Sequence, residues 1–284
     1  MTIARVGIVG AGQMGGGIAE VAARGGVSVV VRDLDAAALE DGAAAIRSSL
    51  DRALSKGKLD EAERDAIVGR LEFTTEADGF ADVDLVIEAI VEDLGVKSAV
   101  FAELDRVCKP DAVLATNTSS IPIIDVAAAT NRPDRVIGLH FFNPAPVMAL
   151  VEVIPSIATD PTVTDTISGF AGDTLGKTVV HAPDRGGFIV NALLVPYLLS
   201  AIRMFDDGHA SADDIDAGMR LGCGHPMGPL ALSDLIGIDT ILHVADSLYE
   251  EFRRDDCVSP PLVRRMVRAG KLGRKAGEGF FSYQ

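Results

Sequence analysis

Basic residues are in short supply in this sequence. Of 284 residues, 26 are Lys or Arg against 41 Asp or Glu, a net charge of −15. A surface that negative repels a phosphate backbone, which argues against nucleic acid as the main partner. It equally opposes any polyanionic small molecule unless a local basic patch overrides the field. Cysteine is scarce too. Cys108, Cys223 and Cys257 lie far apart and match no metal-ligand spacing, so no metal is expected. An odd count with no leader segment implies free thiols in a reducing cytoplasm. The opening MTIARVGIVGAGQMG has neither the basic start, the apolar stretch nor the small-residue cleavage site of an export signal. Long apolar runs are missing as well. The longest charge-free stretch, 186–202, holds Asn191 and Pro196 and falls short of the ~20 mainly apolar residues of a membrane span. It predicts a buried helix of a soluble protein and no membrane association. No repeat and no low-complexity tract is found. What is present, 48% apolar and 24% charged residues with 29 Gly and 13 Pro, is globular and excludes a disordered or collagen-like chain. The length suits one large domain or two ordinary ones.

The first half alternates short β-branched runs with helical stretches. Strands are expected at 5–9, 28–32, 71–74, 85–89, 113–116 and 136–140, and helices at 14–23, 97–108 and 123–128. A helical pair, 36–54 and 60–69, broken at Lys56-Gly57-Lys58, intervenes after the second strand. Apolar runs of four to six without alternation predict strands covered on both faces, as in a parallel sheet. Strand–helix alternation over short links predicts an α/β, doubly wound, Rossmann-type domain carrying a helical-pair insertion. Beyond Phe141, strands at 149–154 and 177–181 flank a helix at 161–175. From Pro183-Asp184-Arg185-Gly186-Gly187 onward only helical periods remain, broken at Gly208, at 222–228 and at Pro260-Pro261. The expected domains are therefore 1–183, dinucleotide-binding, and 184–284, all-α.

Gly10-Ala11-Gly12-Gln13-Met14-Gly15 is a GxGxxG loop. The spacing alone also describes an ordinary tight turn. Here it follows the strand RVGIV and opens a helix, with Asp33 at the end of the next strand. Gly10 permits the turn, Gly12 lets backbone approach a pyrophosphate, and Gly15 lets helix and strand pack closely. The pyrophosphate would sit on helix N–H groups at the positive end of the dipole. Asp33 is placed to accept hydrogen bonds from the adenosine ribose, which favours NAD over NADP. Arg32 beside it is the counter-indication, since an Arg there can meet a 2′-phosphate. Strand alternation sends the two side chains to opposite faces.

Residues 138–154 read GLHFFNPAPVMALVEVI. His140 closes one strand and Glu152 lies in the next, with a proline-containing loop reversing the chain between them. If the strands are neighbours, a carboxylate on one imidazole nitrogen fixes the tautomer and makes the other nitrogen a better base. Alcohol oxidation needs such a base for the hydroxyl proton while hydride leaves the same carbon. A purely structural His–Glu pair is the alternative.

Together GxGxMGxGIA, IEAIVED, TNTSSI, GLHFFNPAPVMALVEVI, GFIVNALLVPY, PMGPLALSDLIGIDT and the closing GEGFF resemble the 3-hydroxyacyl-CoA dehydrogenases, in length the short bacterial 3-hydroxybutyryl-CoA members. The resemblance covers essentially the whole chain. It implies that His140 is the general base and Glu152 its orienting partner. It implies that Ser119 contacts the substrate 3-oxygen and that Asn191 completes the site from the second domain. Glu92, Lys97, Asn143 and, more weakly, Lys275 match cofactor-contacting positions, beside Gly10, Gly12, Gln13, Met14, Gly15 and Asp33. Ser49 and Lys56 match residues that meet CoA.

Each assignment has a physical reason and a plain alternative. Ser119 and Asn191 can donate to an oxygen gaining negative charge; instead, Ser119 caps the following helix or Asn191 satisfies buried backbone. Lys97 is otherwise a solvated helix charge. The segment 46–58 holds Arg47, Arg52, Lys56 and Lys58 against Asp51, a local +3, and would attract CoA phosphates; the alternative is a solvated helix face. The basic run 264–275 has six cations and no acid and reads as helix surface with tail contacts near the cofactor. The expected reaction interconverts (S)-3-hydroxyacyl-CoA and 3-ketoacyl-CoA with NAD. The expected assembly is a homodimer, from the family and from apolar excess around 189–202 and 229–242. The rival readings are a dehydrogenase of a free hydroxy acid or sugar acid, and a nucleotide-binding protein without turnover.

Overall fold

A computed structural model describes residues 2–283 of the chain. The chain divides into two compact units, Met1–Asp184 and Arg185–Gln284.

In the first unit the elements run β1 (Arg5–Val9), α1 (Gln13–Arg24), β2 (Ser28–Arg32), α2 (Ala36–Ser55), α3 (Glu61–Val68), β3 (Leu71–Thr74), β4 (Leu85–Glu88), α4 (Leu94–Val107), β5 (Val113–Thr116), α5 (Ile123–Ala127), β6 (Val136–Phe141), β7 (Leu150–Pro155), α6 (Pro161–Gly169) and β8 (Thr178–His181). One sheet takes them in the order β3-β2-β1-β4-β5-β6-β7-β8. Every pairing is parallel except β6 with β7. The unbroken apolar runs explain this: β4, β5 and β6 are buried at every residue, as strands covered by helices on both faces must be. The order of strands reverses between β1 and β4, which run parallel, and this makes their carboxyl ends the topological switch point where doubly wound sheets bind ligands. The inserted pair starts cleanly, with Asp35 capping α2 and a reciprocal Asp60–Glu63 capping box on α3. One detail departs from the sequence expectation. The helix read as 161–175 is α-helical only to Gly169 and continues as a π-turn, Phe170–Thr174. There the Thr174 carbonyl packs against Gly25, where an added Cβ would lie 2.5 Å from it.

The second unit comprises α7 (Val190–Asp206), α8 (Ala212–Ala217), α9 (Pro229–Ile236), α10 (Ile238–Phe252) and α11 (Pro261–Arg268) around a core that includes Leu198, Ile202, Leu230, Ile241 and Leu248. One expectation fails here. The helical period through 229–242 is interrupted at Gly237, whose φ of 104° no helix accommodates, so α9 and α10 are separate. The unit is helical, as expected, with isolated bridges only in its tail. Gly273, Glu278 and Ser282 form β-bridges, because the buried Asp234 carboxylate accepts the N–H groups of Phe280 and Phe281 and the Tyr283 hydroxyl. Those bonds give the tail partners that no helix would supply. Among the described residues no helix is long and apolar enough to cross a membrane.

Gly15 sets how closely α1 approaches β1, since a Cβ there would lie 1.9 Å from the Gly10 carbonyl oxygen. G15A is therefore expected to destabilise the chain by ~2–4 kcal/mol and to abolish dinucleotide binding, as read by chemical denaturation and NADH fluorescence titration.

Candidate active site

The glycine loop joins the carboxyl end of β1 to α1. Gly10 adopts φ 100°, and a side chain there would run into the Ala89 carbonyl at 2.6 Å. Gly12 has open space where a Cβ would stand. It begins α1 without any side-chain cap and with no acid in the first turn, so the helix presents its N–H groups and dipole outward beside exposed Gln13 and half-buried Met14. Asp33 accepts the Ala11 N–H at 2.8 Å, which fastens its carboxylate to the loop and leaves it acceptor capacity for ribose hydroxyls. The neighbouring cation is already committed. The buried Arg32 guanidinium is held by both Glu103 oxygens, at 2.6 and 3.3 Å, and by the Thr75 carbonyl. The donor and acceptor set fits a dinucleotide with a free 2′-hydroxyl.

A second group of side chains converges at the carboxyl ends of β4 and β5. Lys97 is 1% exposed, so the solvated-charge alternative is ruled out. Its ammonium lies 2.7 Å from Glu88 and 3.2 Å from Glu92. Glu88, fully buried, also accepts the Ile90 N–H and the Thr116 hydroxyl. Glu92 gathers the TNTSSI loop on one oxygen, accepting the Thr118 hydroxyl at 2.6 Å, the Ser119 N–H at 2.8 Å, the Ser120 hydroxyl at 2.9 Å and N–H at 3.1 Å, and the Ser119 hydroxyl at 3.3 Å. Burial opposes ionisation of Glu92, but the Lys97 charge and these hydrogen bonds hold its carboxyl below the usual range. Ser119 is thus oriented by Glu92 and does not cap α5. That cap is Asp184, which accepts the N–H groups of Ile123 and Ile124.

His140 and Glu152 are direct register partners across the antiparallel β6–β7 pair. The His140 Nδ1 donates to Glu152 Oε2 at 2.8 Å, with Glu152 fully buried and His140 5% exposed. The bond makes Nε2 the basic nitrogen of the neutral ring. The Phe142 ring lies 4.6 Å from the imidazole, centroid to centroid. Asn117 accepts the Phe141 N–H at 2.8 Å, extending the β5–β6 ladder by one side-chain bond. The loop that follows carries exposed Asn143 and a cis Asn143–Pro144 bond. It lies between α1, where Gly17 leaves room for Ala145, and Lys177, whose ammonium donates to the Ala145 and Met148 carbonyls at 2.7 Å each.

The remaining sequence candidates sit on other elements. Ser49 is half-buried on α2, and Lys56 is exposed just after it. Asp51 is drawn to Arg64 of α3 at 3.4 Å, which leaves Arg47, Lys56 and Lys58 less compensated. Asn191 stands half-buried in the first turn of α7, and Lys275 pairs with Asp239 at 2.6 Å; both belong to the second unit.

The family description "3-hydroxyacyl-CoA dehydrogenase, NAD binding domain" matches residues 5–185, and "3-hydroxyacyl-CoA dehydrogenase, C-terminal domain" matches residues 187–283. The chain belongs to the 3-hydroxyacyl-CoA dehydrogenase family. A 3-hydroxybutyryl-CoA dehydrogenase of Mycobacterium tuberculosis is 56% identical over 282 residues, 99% of each chain. The crystal structure of M. tuberculosis FadB2 superposes with a TM-score of 0.99 at 56% identity over all of both chains. That of (S)-3-hydroxybutyryl-CoA dehydrogenase PaaH1 from Ralstonia eutropha gives 0.94 at 44%, again over all of both chains.

Within this family member, Glu88, Asn117, Phe142 and Lys177 are site-supporting residues that the sequence reading missed. Glu88 had a signal, a lone acid ending the apolar run LVIE. Asn117 sat unremarked in TNTSSI, Phe142 in HFFNP. Lys177 had none, because only the folded chain brings it to a loop 29–32 residues earlier. Burial pushes its ammonium below the ordinary lysine value, and no carboxylate is paired with it among the described residues. K177M is expected to release the Asn143 loop, raising the KM for NADH about fivefold and lowering stability by ~1–3 kcal/mol; K177R is expected to recover most of both in steady-state kinetics and denaturation.

Proposed function

We propose that this chain is an NAD-dependent (S)-3-hydroxyacyl-CoA dehydrogenase acting on short acyl chains such as 3-hydroxybutyryl-CoA. The observation that carries the reading is the buried His140–Glu152 bond at 2.8 Å, on registered strands of the nucleotide-binding unit. Bound NAD supplies the two-electron acceptor for the carbon that bears the hydroxyl. His140 Nε2 takes the hydroxyl proton, and the imidazolium that results is stabilised by Glu152 beneath it. Ser119, held through its N–H on Glu92, turns its one hydroxyl proton from that carboxylate to the 3-oxygen as the charge there changes, and Asn191 is assigned to the same oxygen by the family resemblance. In the reducing direction the same groups act in reverse, with protonated His140 returning its proton to the oxygen. Asp33 and the loop Gly10, Gly12, Gln13, Met14 and Gly15 hold the adenosine and pyrophosphate. Glu92, Lys97, Asn143 and Lys275 are proposed on the nicotinamide side or near it. Ser49 and Lys56, with the basic face of α2, receive the CoA phosphates against the overall negative field.

H140A is expected to lower kcat at least about a thousandfold while changing the Kd for NADH less than twofold; near-normal turnover would remove His140 from the mechanism. Acetoacetyl-CoA is expected to oxidise NADH where free acetoacetate does not. The reverse preference would favour the hydroxy-acid reading.

A homodimer formed through the second unit is part of the same proposal. Leu193 is 72% and Leu221 82% exposed, with Met204 and Leu235 also open, apolar side chains that a second copy of the chain would cover. Sedimentation equilibrium is expected to give twice the chain mass, and a monomer at micromolar concentration would refute it. The free thiols of Cys108, Cys223 and Cys257 support a reducing, cytoplasmic setting.

A further inference from the structure

The charged groups beneath the Ser119 loop do not balance. One ammonium, Lys97, faces two carboxylates, Glu88 and Glu92. Glu88 and Lys97 are sealed off, at 0% and 1% exposure, whereas the Glu92 side chain is 23% exposed. The surplus negative charge therefore emerges at Glu92. Hydrogen bonds to one of its oxygens and the Lys97 charge keep that carboxyl ionised despite burial.

The position of this surplus matters. Asp33 and the glycine loop occupy the ends of β1 and β2, the adenosine half of a doubly wound sheet. Glu92 follows β4, and the loop it gathers follows β5, so both belong to the other half, alongside His140 at the end of β6. On the reading proposed above, that half receives the nicotinamide. The two forms of the cofactor share adenosine, pyrophosphate and carboxamide, and differ there in charge. The oxidised ring is a cation and the reduced ring is neutral. A fixed anion in a partly desolvated site separates the two, while neutral hydrogen-bond donors do so only weakly.

We propose that Glu92 is a specificity-determining residue for cofactor oxidation state, its uncompensated charge favouring NAD⁺ over NADH. The inference rests on the assigned cofactor and adds to it a function for charge that the glycine loop cannot perform. Loop positioning alone predicts something different, because misplacing Ser119 alters binding of both forms alike.

The test measures the two dissociation constants for the full chain without substrate. NADH is followed by its fluorescence and NAD⁺ by competition against it. E92Q is expected to raise the ratio Kd(NAD⁺)/Kd(NADH) about tenfold. E88Q removes the same unit of charge yet leaves Glu92 on the serine loop; it is expected to shift the ratio the same way, by about threefold, and serves also if E92Q fails to fold. E92D, which keeps the charge, is expected to stay within twofold of the parent ratio. A ratio unmoved in E92Q and E88Q, or moved equally by E92D, overturns the proposal while leaving the cofactor assignment intact. Failure of the parent chain to bind either form overturns that assignment itself.

Discussion

A carboxylate with no solvent exposure needs a partner fixed at its side, and Glu152 has one in His140. Their bond depends on strand register. A parallel neighbour for β6 would require a long crossover before the chain returned beside it. An antiparallel β7 returns after a short loop, and so brings a residue only 12 positions later to stand opposite His140. The one antiparallel pairing in the sheet is thus the one that builds the acid–base couple. β8 then covers the far side of β7, with Val180 beside Glu152, which takes the carboxylate off the sheet edge and out of water. A one-residue slip would turn Glu152 to the opposite face and leave it buried without its imidazole.

The nucleotide side follows a related logic. Asp33 is tied to Ala11 and Glu92 to residues 118–120, so an acid from one strand end fixes the loop of another. These ties set loop geometry without large side chains, which keeps the cleft floor open at Gly12. The Lys97–Glu88 pair lies beneath them. Breaking a buried pair from one side typically costs about 3–5 kcal/mol, so the Glu92-centred loop stands on a stiff base.

The parallel sheet was legible because both covered faces write themselves into the strands as uninterrupted apolar runs, and the glycine loop because its spacing serves a backbone conformation. The separation of His140 from Glu152 was legible; their pairing was conditional on strands being neighbours, which spacing alone does not establish. What escaped the sequence was long-range or masked by periodicity. The apolar period runs through Gly237, so the break between α9 and α10 shows only in its φ angle. Lys97 has the sequence neighbourhood of a surface helix lysine, and its burial follows from two acids on other segments. Asp184 caps α5 from about 60 residues away, and Asp234 reaches the tail across 46–49. No local signal marks either.

Asp216 completes this set, accepting the N–H groups of Leu230 and Ala231 at the start of α9. Asp216 and Asp234, together with Glu20, Glu88 and Glu152, are buried, and their fields end largely on backbone dipoles, hydroxyls, the Lys97 ammonium, the Arg24 guanidinium or the His140 ring. Five of the 41 acids are thus internal scaffolding, and all but Glu20 hold one segment of the chain to another. For a ligand as phosphate-rich as coenzyme A, the repulsion is therefore met locally, by cations such as those of α2, and not by removing these internal acids.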